Sequence, residues 1–217
     1  MNKSSRSEAA VPPPPRAGRE NSREALLDAT SALMRELDTV EIGIVDIAQR
    51  AGVNHAMIRY FFGSKEGLML ALLDRDVYRR IRQLDRLFRL DVTPTERMRI
   101  HLRGIVDTYY QIPYLNRLIQ VMVREADPQR VRHIADELLI PIASAQARII
   151  AQGVATGEFR DVDPKLFYFN TIGSADALYA NRFTLSAVFG GIPYADPALH
   201  ERYRDHTVET LMRGLLL

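Results

Sequence analysis

Hydrophobic residues fall at helical spacing through most of this chain, and no strand-like alternation of any length interrupts them. Leu26, Ala29, Leu33 and Leu37 place an apolar stripe on a first helix. Ile44, Ile47, Ala48 and Ala51 follow the i, i+3, i+4, i+7 rule and place another on a second. Gly52 stops that helix, because glycine takes the left-handed conformation that closes a helix C-terminus, and Asn54 can cap the next helix two residues later. The segment Ile47 to Leu68 therefore reads as helix, tight turn, helix, a way of offering the second helix to a DNA major groove. With Ile58 turned to the core, the 100° step per residue sends Ala56 and Tyr60 outward and leaves Met57 and Arg59 on the flanks. His55 sits at the exposed N-terminal end, where recognition helices make base contacts. Phe61 and Phe62 close the unit against the first helix, and Ser64 caps a further helix beginning at Lys65, whose free N–H groups and lysine charge suit a phosphate.

Beyond Lys65 the pattern is punctuated by Thr93-Pro94, Asp127-Pro128, Asp163-Pro164 and Asp196-Pro197. Each joins a good N-cap to a proline at the first helical position, so each predicts a helix start. Thr93 with Glu96 fits a capping box, Gly157 ends the helix before Asp163, and Ile112-Pro113 separates helices near 94–111 and 114–125. Pro141 either kinks a helix of about 128–156 or splits it. A helix of about 65–90 carries Val77, Ile81, Leu84 and Phe88 on one face and Arg75, Arg79, Arg82, Arg86 and Arg89 on the other. That stripe invites a nucleic-acid or anionic-membrane reading, but the interleaved Asp74, Asp76 and Asp85 favour local ion pairs and a solvated face. Two last helices, about 164–188 and 197–216, carry small residues (Gly173, Ser174, Ala175, Ala177, Ala180) and an apolar stripe (Val208, Leu211, Met212, Leu215). Such faces suit a second subunit, or else complete the core of one. The expectation is an all-α protein of about nine helices: a basic, proline-rich disordered arm over 1–21, a three-helix helix-turn-helix domain over 22–64 and a larger helical domain over 65–217.

Composition narrows the class. At 217 residues and 47% hydrophobic content the chain can bury a sizeable core. The absence of cysteine excludes a disulfide framework and thiolate metal sites. No uninterrupted apolar run approaches the ~18 residues that cross a bilayer, so no membrane partner is expected. Pro12 to Pro15 stand where a signal peptide would need an apolar stretch, which predicts a cytoplasmic protein. Net charge is +2, and residues 1–63 hold eight Lys plus Arg against eight Asp plus Glu. Affinity for DNA must then come from where charges stand, Lys3, Arg6, Arg16 and Arg19 of the arm included.

No catalytic constellation emerges. His55, His101, His133, His200 and His206 form no His-Glu-x-x-His or Glu-x-x-His pattern, and there is no glycine-rich phosphate loop, so neither catalysis, a metal nor a cofactor is expected. Each histidine reads as a surface or satisfied core residue. Tyr109, Tyr110, Met122, Arg124, Phe167, Asn170, Tyr179 and Phe183 place aromatic and polar groups on core-building helices, a mixture suited to an apolar cavity with a few orienting groups. Arg124 and Arg182 hint at an anionic or carbonyl-bearing guest.

Over roughly Arg23 to Leu73, at Ile47-Ala48, Ala51-Gly52-Val53, Tyr60-Phe61-Phe62 and Ser64-Lys65-Glu66, the chain resembles the TetR family of bacterial transcriptional regulators. The resemblance implies a DNA-binding domain joined by the fourth helix to an effector domain, and a dimer interface built from the last two helices. It carries DNA contact onto Val45, His55, Ala56, Met57, Arg59, Tyr60 and Lys65. Gly43 and Val45 stand where the family has a Ser or Thr cap followed by a basic residue, and Arg59 replaces its usual phosphate-binding tyrosine. Arginine grips a phosphate or, bidentately, a guanine. The expected function is a homodimeric repressor released from a palindromic double-stranded operator by a small-molecule effector. The alternative is a helical small-molecule or lipid-binding protein that no longer binds DNA.

Overall fold

The computed structural model describes residues 16–82, 84–125, 128–191 and 196–217. Among them there is no strand, only an isolated bridge between Phe159 and Leu216. Helix α1 (Arg16–Leu37) starts directly after the proline run. Arg16, Ala17, Arg19 and Glu20 are good helix formers, so residues 16–21, expected in the arm, have helical backbone. The proline run, Lys3 and Arg6 lie outside the described residues. Helices α2 (Ile44–Ala51), α3 (Ala56–Phe62) and α4 (Lys65–Leu73) follow.

The long fourth helix is interrupted. After α4 comes a π turn (Asp74–Tyr78), then α5 (Arg79–Ile81) and, beyond residue 83, α6 (Leu84–Phe88). The π turn lets two sequence neighbours, Val77 and Tyr78, both enter the core, which a regular 100° step opposes. Arg75 pairs with Asp76 at 2.7 Å and reaches Asp28 at 2.7 Å on α1, while Arg82 pairs with Asp74 at 3.2 Å.

The larger part is built from α7 (Pro94–Gln111), α8 (Leu115–Glu125), α9 (Pro128–Ile134), a second π turn (Ala135–Leu139), α10 (Ile140–Ala155), α11 (Pro164–Ala177), α12 (Arg182–Phe189) and α13 (Pro197–Leu215). Three predicted caps form: Thr93 accepts from the Glu96 N–H, Asp163 from those of Lys165 and Leu166, and Asp196 from that of Leu199. The fourth, Asp127, lies outside the described residues. Pro141 does not split its helix. It lacks an N–H and its ring crowds the carbonyl four residues back, at Glu137, which lies in the π turn. The helical run 128–155 is long and apolar enough on average to cross a bilayer, although no unbroken apolar run suggested it. In the fold it packs against α7 and α11. The expected helix 164–188 breaks after α11, and Asn181 caps α12 by accepting from the Thr184 N–H at 2.9 Å. Counting each run through a π turn as one helix, eleven stand among the described residues where about nine were expected.

One core cluster runs from Leu26, Leu27, Met34, Ile47 and Ile58 through Leu68, Leu72, Val77 and Tyr78 into Val106, Tyr114, Leu118 and Tyr179. It crosses from the first four helices into the larger part without a gap. A second cluster joins Met98, Leu102, Ile149, Phe159, Val208, Met212 and Leu215, so the apolar stripe of α13 completes the core of one subunit. Buried Arg97 donates to the carbonyls of Leu87 (3.2 Å) and Leu90 (2.7 Å), satisfying the end of α6.

Candidate functional site

The α2–turn–α3 unit is held by backbone chemistry. Gly52 is left-handed (φ 67°) and the Val53 N–H reaches back to the Ala48 carbonyl at 3.0 Å, closing α2. Asn54 then accepts from the Ala56 N–H through its side-chain oxygen at 2.8 Å, starting α3. Ile47, Ala48 and Ile58 are buried, whereas Ile44 and Leu37, both expected in apolar stripes, are exposed because they sit on terminal turns that overrun the core. Ser64 accepts from the Gly67 N–H at 3.1 Å and starts α4. That bond also involves a close approach: a Cβ on Gly67 would lie 2.0 Å from the Phe62 carbonyl oxygen. Glu66 is held below the usual carboxylate range by its hydrogen bond to Ser64.

His55, Ala56, Arg59 and Tyr60 are exposed together on the first turns of α3, and Val45 is exposed on the first turn of α2. Met57 is half-buried against the core, and Lys65 is half-buried at the start of α4. Arg50, the nearest cation on α2, is engaged with Glu36 of α1. Arg23 stacks over the Phe62 ring at 5.3 Å, joining α1 to the end of α3.

A cavity of about 890 Å³ opens in the larger part, between the π turn and α5 (Val77, Arg80, Ile81), α6, α7, α8, the second π turn, α10 and α11. Of the eight residues expected to line a pocket, Tyr109 lines this cavity, donating its hydroxyl to Asn116 at 2.9 Å, and Tyr110 lines a smaller crevice beside α1. The structure puts the others elsewhere. Tyr110 also stacks on His200 at 3.9 Å, and His200 bridges Tyr179 (2.7 Å) and Asp107 (3.0 Å). Met122 and Phe167 are buried outside the cavity wall, Asn170 and Arg124 are exposed, and Phe183 is 82% exposed. On α11 the cavity is met by Lys165, Tyr168, Phe169 and Ile172, one 100° step from the expected Phe167 and Asn170. His101, Thr108, Gln111 and Asn116 also line it and were not singled out; a polar residue on a mostly apolar helical face was the available signal.

Two elements touch both the cavity and α1. Helix α8 lines the cavity with Leu115, Asn116 and Ile119, while Arg117 grips Asp38, donating to its carbonyl at 2.7 Å and to its carboxylate, at the end of α1. Asp38 has φ 54° there. Tyr114 donates to Ser31 of α1 at 2.9 Å, and Arg182 also reaches Asp38 and the Arg35 carbonyl. In the other, the run through the first π turn, Val77 lines the cavity and Arg75 holds Asp28 of α1 at 2.7 Å, while Arg80 donates to Gln111, the two lining both the cavity and the crevice of about 540 Å³ beside α1.

Comparison with known proteins adds two family matches. Residues 26–72 match the model described as bacterial regulatory proteins, tetR family, and residues 91–217 match the tetracyclin repressor-like C-terminal domain. The chain is 26% identical to the transcriptional repressor NicS of Pseudomonas putida over 203 residues, covering 90% of this chain and 93% of that one. It is 29% identical to the transcriptional regulator BetI of Stenotrophomonas maltophilia over 94 residues, 43% of this chain and 46% of the relative, so that likeness spans about half of the relative's length. A crystal structure of a TetR/AcrR-family regulator from Thermobifida fusca superposes with a TM-score of 0.65 at 23% identity, covering 88% and 97% of the two chains. That likeness is one of fold.

Proposed function

The chain belongs to the TetR family of bacterial regulatory proteins and is a DNA-binding transcriptional regulator, and we propose that it is a cytoplasmic homodimeric repressor whose effector enters the cavity beside α7 and α8. The observation that carries this reading is the pair of elements that line the cavity and hold α1: Asn116 and Arg117 are neighbours on α8, one on the cavity wall and the other on Asp38. A ligand that prefers a shifted α8 would move α1, and with it the α2–α3 unit packed on α1. Two α3 helices about one DNA turn (~34 Å) apart, or a multiple of it, read a palindrome. DNA contact is assigned to Val45, His55, Ala56, Met57, Arg59, Tyr60 and Lys65, with residues 22–64 as the reading domain and 65–217 as the effector and dimerisation domain. The reading is of a regulator and not of an enzyme.

The test is fluorescence anisotropy on DNA from upstream of the protein's own gene. Steeply salt-dependent binding is expected, and Arg59→Ala and Lys65→Ala are each expected to weaken it. If Arg59 reads guanine, its loss relaxes preference at one base position by about 1–3 kcal/mol; if it holds phosphate, all sequences weaken alike. Binding that neither substitution changes would overturn the assignment.

A further inference from the structure

We infer that the cavity binds a largely apolar ligand through one uncharged oxygen, a hydroxyl or a carbonyl, hydrogen-bonded to Nε2 of His101. This rests on the reading of the cavity as the effector site and says what chemistry that site selects. His101 lines the cavity, is 5% exposed, and its Nε2 has no hydrogen-bond partner among the described residues. A buried polar atom without a partner is costly, and a guest that supplies one removes that cost. Several other polar groups of the wall are already engaged. Tyr109 donates to Asn116, Thr108 to the Gly104 carbonyl at 2.8 Å, Arg80 to Gln111, and Asp107 is held by His200 and Arg204.

The two ends of the cavity differ. On the same helix as His101 the wall is Ile100, Gly104 and Ile105, other elements add Leu84, Leu87 and Ile142, and the start of α11 adds the exposed Lys165. Asp107 lies six residues further along α7, about 9 Å at 1.5 Å per residue, and Gln111, with the Arg80 bound to it, about 15 Å. A charged group brought against buried His101 would give up its hydration, whereas Lys165, exposed at the start of α11, keeps its own charge in water. Burial pushes the imidazole down to about 4, so at neutral pH it is itself uncharged and offers a hydrogen bond and no counter-charge. Gln146, fully buried on α10 one turn from Ile142 and Ala143 of the wall, also has both amide atoms unpartnered. The helix that packs against α7 thus carries unmet hydrogen-bonding capacity of its own.

Three probes of one shape test this on the full-length protein: naphthalene, 2-naphthol and 2-naphthoate, each displacing the uncharged dye N-phenyl-1-naphthylamine. The protein is expected to prefer 2-naphthol to naphthalene by about tenfold or more, and to prefer it to 2-naphthoate. His101→Phe, which keeps an aromatic ring and removes the nitrogen, should reduce the naphthol preference to about twofold while naphthalene still binds. His101→Gln, whose amide can stand in for Nε2, should keep a preference of severalfold. Should naphthoate bind most tightly, or the naphthol preference survive in His101→Phe, the inference fails and the effector cavity stands. If neither dye nor naphthalenes bind wild-type protein, the cavity reading fails and the inference with it. The wild-type preferences alone decide the ligand class should a variant not fold.

Discussion

Gly67 shows how one missing atom holds the reading head together. Its Cα approaches the Phe62 carbonyl so closely that a Cβ would meet backbone, which cannot swing away as a side chain can. Gly67→Ala is expected to lower stability by about 2 kcal/mol or more in urea denaturation. Gly104→Ala, a helical position with nothing within 4 Å of the added carbon, should be neutral or stabilise by up to about 1 kcal/mol. His101 makes its own prediction. Its folded value, about 4, lies below the ordinary 6.5. Unfolding therefore takes up a proton between those values, so its contribution is complete above about pH 6.5, falls as the pH drops towards 4 and is gone below that. At about 1.4 kcal/mol per pH unit the gap amounts to roughly 3 kcal/mol, and a pH series of urea melts should show this loss in the wild type and not in His101→Gln. The histidine was legible in the sequence as a residue but not as a site, because its neighbours across the cavity come from helices far along the chain.

At the scale of elements, the informative features are the interruptions. The π turn at 74–78 allows adjacent Val77 and Tyr78 into the core, and the one at 135–139 accommodates Pro141 without breaking the helix. Helix α8 is the element through which cavity and head communicate. Arg117→Met is expected to leave operator affinity and ligand affinity within about threefold of wild type, yet to reduce ligand-driven release of DNA by about tenfold or more, since typical couplings are 1–3 kcal/mol. Anisotropy titrations of operator with and without ligand measure that coupling. Equal coupling in the variant would place the route elsewhere, with Arg80 and Gln111 the next pair to test. Caps and stops were legible here because each is decided by two or three consecutive residues, as at Asn54, Thr93, Asp163 and Asp196. The rotation of α11 was not, because its phase is set by what packs on it.

For the whole molecule, large apolar side chains remain exposed on α11 and on α12, where Phe183 and Val188 are 82% and 71% exposed. Leu166 and Phe169 are 64% and 71% exposed, with Gly173 and Ala177 also outward. Val208, Met212 and Leu215 of α13 are consumed by the core. A second subunit packed on the α11–α13 pair would therefore cover the outer side of α11 and the polar side of α13. Replacing both Leu166 and Ala177, which lie off the cavity wall, by Asp is expected to convert a dimer to monomers in sedimentation velocity, and to weaken operator binding at least tenfold by separating the two reading heads. An unchanged sedimentation coefficient would remove α11 from the interface.

The sequence by itself determined the all-helical class, the α2–turn–α3 unit with its caps, and the family, because helical periodicity, Gly52, Asn54 and Ser64 act over a few neighbouring residues. Only the tertiary structure decided which aromatic and polar groups face the cavity, that Arg117 and Arg182 hold Asp38, and that His101 is buried without a partner among the described residues. Those facts depend on how helices distant in the chain are rotated against one another, and a single 100° step exchanges a residue on the wall for its neighbour in the core.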